Sequence, residues 1–162
     1  MEKAVAQFMP TYSAFIERVK DIHRLGALQG HLGWDQETIM PAKGSDARSD
    51  ILSWLAAEQH NRIIDPEMGQ MLNSLGQDGN LNDDQRANVR EMRRSYDKAV
   101  KLPSEFVAEF AKAKSEALLT WQKARANSDF ESFLPQLEHL IGMTKEKIAY
   151  YGGQGNPYDV LL

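Results

Sequence analysis

Apolar residues recur at steps of three and four along most of the chain. Phe8, Tyr12, Phe15, Ile16, Val19, Ile22 and Leu25 fall on one side of a helical wheel, with Glu17, Lys20, Asp21 and Arg24 largely opposite. The pattern predicts a first helix running to about Leu32. Gly26, Gly30 and Gly33 weaken its last turns, at about 1 kcal/mol each against Ala, and allow a neighbouring backbone to come close. Trp34 to Gly44 then reads as a non-repetitive connector ending in Met40-Pro41-Ala42-Lys43-Gly44. A second helix is expected over Ser45 to Ile63, burying a stripe of Ala47, Ile51, Trp54 and Leu55.

Capping chemistry sets the remaining boundaries. Asp65-Pro66 reads as N-cap then N1 of a short third helix ending near Leu75, before the polar turn Gly76 to Asn80. Asn82 and Gln85 have capping-box spacing and open a fourth helix with Val89, Met92, Tyr96 and Val100 on its apolar side. Pro103 at N1 starts a fifth through Phe106, Phe110, Ala117, Leu118 and Trp121. Ser128 and Glu131 form a second box, opening a sixth through Leu134, Leu137, Ile141 and Ile148, and Gly152-Gly153 stops it. Short loops between long helices favour antiparallel neighbours. The expectation is all-α: about six helices in a compact antiparallel array, forming a single domain over residues 1–162.

Composition agrees. Ala, Leu, Met, Glu, Lys, Arg and Gln supply 81 of the 162 residues, whereas Val, Ile and Thr supply 18. Unbranched side chains lose little rotamer freedom in a helix and β-branched ones lose more. A chain of this length buries roughly 70% of its unfolded surface and needs no disulfide to hold it. No apolar run approaches the ~20 residues of a membrane span. Met1 to Gln7 lacks the basic and apolar regions of a secretory signal, and there is no Cys. A cytoplasmic location is expected.

The net charge of −4 gives no global attraction for nucleic acid. Locally, Arg86, Arg90, Arg93, Arg94, Lys98 and Lys101 meet only Glu91 and Asp97, so residues 86–101 carry +4. No aromatic platform interleaves them, and a salt-bridged helix face is the expectation rather than a nucleic-acid surface. Metal chemistry finds little. None of His23, His31, His60 and His139 forms an H-E-x-x-H, and His31 with Asp35 gives two ligands where a site needs more. His23 and His139 read as structural histidines. There is no nucleophile elbow, and Gly152-Gly153-Gln154-Gly155 follows a helix without the Lys-Ser/Thr of a phosphate loop.

The connector is the least ordinary stretch, with an indole, two carboxylates, an amide and a hydroxyl in Trp34-Asp35-Gln36-Glu37-Thr38. Read from chemistry alone, Asp35 or Thr38 caps free backbone N–H groups and Trp34 joins the core. Leu32-Gly33-Trp34-Asp35-Gln36-Glu37-Thr38, then Met40-Pro41, Ala47-Arg48 and Leu55-Ala56, resembles the N-terminal part of the M32 metallocarboxypeptidases, the carboxypeptidase Taq family. Asp65-Pro66-Glu67-Met68-Gly69, Arg86 to Glu91, Leu102 to Val107 and Asn156 to Leu162 continue the likeness in order, over essentially the whole chain.

The resemblance implies a mostly helical, commonly homodimeric enzyme that removes single residues from peptide C-termini. Such enzymes use one divalent metal, zinc or cobalt, held by an H-E-x-x-H helix and a later Glu, with the motif's Glu as general base. None of those motifs occurs here. The chain is therefore expected to be an N-terminal fragment that binds no metal and is inactive alone, its partners being the catalytic part and the peptide substrate. Trp34, Asp35, Glu37 and Arg48 become candidates for lining the substrate groove or bracing the catalytic part. A fragment also predicts exposed apolar surface. Two rivals are a self-sufficient helical interaction module using the fourth helix or the Trp34–Pro41 connector, and a small metal enzyme using His31, Asp35 and Glu37.

Overall fold

A computed structural model describes residues 11–153 and 155–161, whose regular structure is entirely helical, with no strand among them. Seven α-helices occur among the described residues: α1 Tyr12–Thr38, α2 Ser45–Ile63, α3 Pro66–Leu75, α4 Asp83–Ala99, α5 Ser104–Ala126, α6 Phe130–Tyr150 and the short α7 Pro157–Leu161. A 3-10 turn, Ala42–Gly44, joins α1 to α2. Phe8 lies outside the described residues, as does Gln154 of the glycine-rich turn.

The predicted caps are largely where local chemistry puts them. Asp65 accepts from the Glu67 N–H with Pro66 at the first helical turn. Asn82 and Gln85 form the reciprocal capping box of α4. Pro103 occupies the N-cap of α5 rather than the expected N1, which is Ser104. Gly152, at φ +73°, ends α6: its N–H reaches the Ala149 carbonyl and the Gly153 N–H reaches that of Ile148, the bonding of a Schellman motif.

The start of α6 corrects the Ser128 expectation. Ser128 sits at φ +53°, closing α5 through Ser128 N–H to Arg125 and Asp129 N–H to Ala124. A residue holding that left-handed position cannot also cap the next helix. Asp129 does so instead, accepting from the Ser132 N–H at 3.2 Å.

α1 also runs further than expected. It passes through Gly30 and Gly33 to Thr38, so Trp34–Thr38 is helix and the connector shrinks to residues 39–44. Tertiary bonds from α2 and α5 to this last stretch offset the cost of the glycines. Gly26 admits a close approach of a side chain: a Cβ there would stand 2.9 Å from Gln59 Nε2, which donates to the Ile22 carbonyl.

Cross-contacts show the packing. Arg48 meets Leu32 and Asp35, Gln59 meets Gln29, and Arg62 meets Asp21, so α1 and α2 run antiparallel. Ser49 against Ser115, Ser53 against Ala108, and Asn61 against Ser104 make α2 and α5 antiparallel too. α2 packs most extensively on α5, with the small residues Ser49 and Ser53 of α2 meeting Ser115 and Ala108 of α5. α6 flanks α5, and α3 pairs with α4 beside the N-terminal half of α1.

Two apolar clusters result. Phe15, Ile22, Met68, Met71, Leu72, Leu75, Leu81, Val89 and Met92 join α1, α3 and α4. Phe106, Ala113 and Met143, backed by Leu102, Phe110 and Leu140, join α5 to α6.

Candidate functional site

The α1–α2 corner gathers the residues singled out by sequence. α1 ends where the Ile39 and Met40 N–H groups both close onto the Asp35 carbonyl, at 3.1 and 2.9 Å. Pro41, extended at ψ 140°, turns the chain into the 3-10 turn. Thr38 Oγ1 donates to the Trp34 carbonyl at 2.7 Å, so it caps no N–H group. The last turn of α1 has no basic residue of its own and carries the acidic Glu37. That is unfavourable at a helix C-terminus.

Arg48 of α2 supplies the missing cation. Its guanidinium donates to the Leu32 carbonyl and, at 2.5 Å, to Asp35 Oδ2. The Arg48 side chain is 13% exposed and that of Asp35 31%. The pair therefore ties the end of α1 to the start of α2, and Asp35 is a bracing group rather than a cap.

Beside it lies a buried polar network that the sequence did not announce. Gln36 Nε2 donates to the Ser115 carbonyl at 3.1 Å and to Ser115 Oγ at 2.8 Å, and Ser115 Oγ stands 3.2 Å from Gln36 Oε1. Ser49 Oγ lies 3.0 Å from both Ser115 Oγ and the Ser45 carbonyl. All three residues are buried, and no buried side-chain polar atom among the described residues lacks a partner. The only sequence signal was an amide midway through Trp34–Thr38, which has meaning only once that stretch is helical.

The other candidates separate. Trp34 is 61% exposed, so it is not a core residue, and Glu37 is exposed as well. The second-helix stripe is reversed: Ala47 is exposed, Ile51 is 45% exposed and Trp54 64%, whereas Ser49, Ala56 and His60 face inward. Leu55 alone of the expected stripe is buried. Periodicity identifies an apolar side of a helix but not which neighbour covers it. Val100, Trp121 and Ile141, also expected on apolar faces, are exposed too.

Histidines follow the same lesson. His23 and His139 are exposed, and His60 is the buried one. Its Nε2 lies 3.0 Å from the Leu102 carbonyl, which fixes the neutral ring with its proton on Nε2. Burial pushes its pKa down, and the Leu102 carbonyl partly opposes that. Among the described residues no three His, Asp or Glu side chains stand together as a metal site. His31 is exposed, and the Asp35 carboxylate it would need is held by Arg48. These residues do not fit a catalytic metal.

The basic fourth helix is met by internal acids. Arg86 pairs with Asp83, Arg90 with Glu91, and Arg93 with Asp97, while Arg93 also donates to Asn73. No helix among the described residues is long and apolar enough to cross a membrane.

Comparison with known proteins gives this architecture a family. The model of the carboxypeptidase Taq (M32) metallopeptidases matches residues 14–162. The chain is 34% identical to thermostable carboxypeptidase 1 of Thermus thermophilus, over 93% of this chain and 32% of that protein. It is 33% identical to thermostable carboxypeptidase 1 of Pyrococcus furiosus, over 94% of this chain and 30% of that protein. A solved structure described as "BsuCP Crystal Structure" superimposes with a TM-score of 0.89 at 28% identity, over 93% of this chain and 30% of that one. The chain thus spans about a third of the length of the relatives it matches. An all-helical chain whose W-D-Q-E-T segment ends α1, and which matches the family model from residue 14 onward, belongs to the M32 metallopeptidases.

Proposed function

We propose that this chain is the N-terminal helical part of a metal-dependent carboxypeptidase that hydrolyses single residues from peptide C-termini. It supplies scaffold and groove wall rather than the metal site. The observation that carries this is the outer face of α2, where Ala47, Ile51 and Trp54 recur at steps of four and three without cover. An amphipathic helix with a second apolar stripe facing water is suited to a further packing partner. The remaining length of a relative-sized polypeptide is the natural source of that partner. The exposed indole of Trp34 and the carboxylate of Glu37, beside the Arg48–Asp35 brace, are suited to the rim of a substrate groove.

On this reading residues 1–162 form a single helical unit. The enzyme is a cytosolic homodimer carrying one zinc or cobalt ion, as the family likeness and the absence of cysteine suggest. The rival, an independent interaction module using α4, has less support because α4's arginines are met within the fold.

Two measurements test the proposal. The 162-residue chain, given zinc or cobalt, should release no C-terminal residue from an N-acylated dipeptide, and turnover would overturn the assignment. Mixed with the separately purified remainder of the Thermus thermophilus relative, it should bind and restore hydrolysis. Trp54→Glu should weaken that association at least ~10-fold, since burying a charge at an apolar contact is costly. Unchanged association would remove the α2 face from the interface.

A further inference from the structure

Between α2, α4, α5 and α6 lies a solvent-open cleft of about 330 Å³. Leu102, Phe106, Val107 and Phe110 give it an apolar wall, and Lys98, Lys114 and Lys147 enter it from three different helices. The other polar groups lining it are Gln29 from α1, Gln59 and His60 from α2, Ser95 from α4, and Tyr151 after α6. None is acidic. His60 is committed to the Leu102 carbonyl, as described above. Among the described residues, none of the three lysines has a carboxylate within ion-pair distance, in contrast to Lys20 and Lys112 elsewhere.

What Lys114 and Lys147 touch instead is aromatic. Lys114 Nζ lies 5.1 Å from the Phe110 ring centre. Lys147 Nζ lies 5.9 Å from the same ring and 5.7 Å from that of Tyr151. A ring face attracts a cation but cannot neutralise it. Electrostatics agree: burial first, then Lys114 and Lys98, push the Lys147 ammonium below its ordinary pKa, and no acid opposes them. Holding the Lys147 ammonium at one cleft with those of Lys114 and Lys98 raises the free energy of the empty fold. A bound anion with several charged oxygens reverses that.

We infer that this cleft binds a small phosphate-bearing molecule, its phosphate oxygens among Lys98, Lys114 and Lys147 and its apolar part against Phe106 and Phe110. A lone carboxylate would leave the cluster with excess positive charge, whereas a polyphosphate or a phosphate ester with two or more negative charges matches it. The site is separate from the α1–α2 corner and does not depend on the carboxypeptidase reading.

Calorimetric titration of the 162-residue chain with inorganic tripolyphosphate tests it. One saturable site is expected at low salt, weakened but present at 150 mM salt. Lys147→Gln and Lys114→Gln should each weaken binding about 10-fold or more, the loss of one charge-assisted hydrogen bond. Lys145→Gln, exposed on the same helix and outside the cleft, should leave it unchanged. A second readout uses reductive ¹³C-dimethylation of the lysines, which keeps their charge. The signals of Lys98, Lys114 and Lys147 should move together on adding tripolyphosphate while that of Lys145 stays.

No saturable binding would overturn the inference. So would equal weakening by Lys145→Gln, which would mean diffuse surface charge. A chain without cooperative unfolding would overturn it as well, because the cleft requires α2, α4, α5 and α6 to pack within this chain.

Discussion

Replacing Gln36 by Leu isolates the polar network that pins the end of α1. The shapes are close, so the change removes an amide rather than volume. Three contacts are lost: Gln36 Nε2 to the Ser115 carbonyl and hydroxyl, and the Ser115 hydroxyl to Gln36 Oε1. The two interactions with Ser115 Oγ share one hydroxyl, so about two net hydrogen bonds go, at about 1 kcal/mol each. Ser115 Oγ keeps Ser49 at 3.0 Å and is not orphaned, which avoids the larger penalty of an unpaired buried group.

The expected destabilisation is therefore about 2 kcal/mol. In a chain of this size that lowers Tm by about 4–8 °C. Urea unfolding followed by far-UV circular dichroism measures it, with the Gln36→Leu, Ser115→Ala and double variants forming a cycle. A coupling energy of about 1 kcal/mol or more is expected between the two sites. A Gln36→Leu loss below about 0.5 kcal/mol, or additive single changes, would refute the claim that this network holds the helix end in place.

Three further outcomes follow from the same geometry. Arg48→Met should cost about 1–2 kcal/mol, because it strips Asp35 and the Leu32 carbonyl of a donor while water still reaches the partly exposed carboxylate; adding Asp35→Asn should recover part of the loss in urea midpoints. Ser128→Gly should stabilise the chain by up to about 1 kcal/mol, since glycine holds the left-handed φ of +53° without strain, and an unchanged or lower Tm would contradict it. For His60, burial favours the neutral ring in the fold. The unfolded chain therefore takes up a proton first as pH falls below about 6.5, and stability present above that pH is lost as it drops toward the lowered folded value. Urea midpoints between pH 7.5 and 5.5 should consequently fall less steeply in His60→Gln than in the parent chain.

What could be read from sequence was whatever chemistry acts within a few residues. Asp65-Pro66 and the Asn82–Gln85 box are self-contained devices, and the helices they start begin where expected. The end of α1 was not legible. Gly30 and Gly33 argue locally for a break, and only Arg48 and Ser115, distant in sequence, outweigh them. Trp34 and Trp54 failed for a related reason, since a large apolar residue on a helix says that some surface wants it without saying whose. His60 escaped notice because its partner is the backbone of Leu102, which no side-chain pattern encodes. The lysine cleft was half visible: Lys98 belonged to the basic run, but Lys114 and Lys147 join it only once α5 and α6 fold alongside.

The α2–α5 seam bears on how this chain can diverge. Ser49 meets Ser115 and Ser53 meets the Ala108 carbonyl, with Ala56 buried on the same side of α2. The distance between these helices is set by the absence of bulk rather than by its presence. A larger residue at 49 would push α5 outward and carry α6 with it, while a hydrophobic one at 115 would strand the amide of Gln36. Neutral drift along the seam is accordingly narrow: Gly, Ala and Ser can interchange, and a change at 115 must be accompanied by one at 36. Descendants of this sequence should vary these positions as linked sets, while the solvent-facing positions between them change independently.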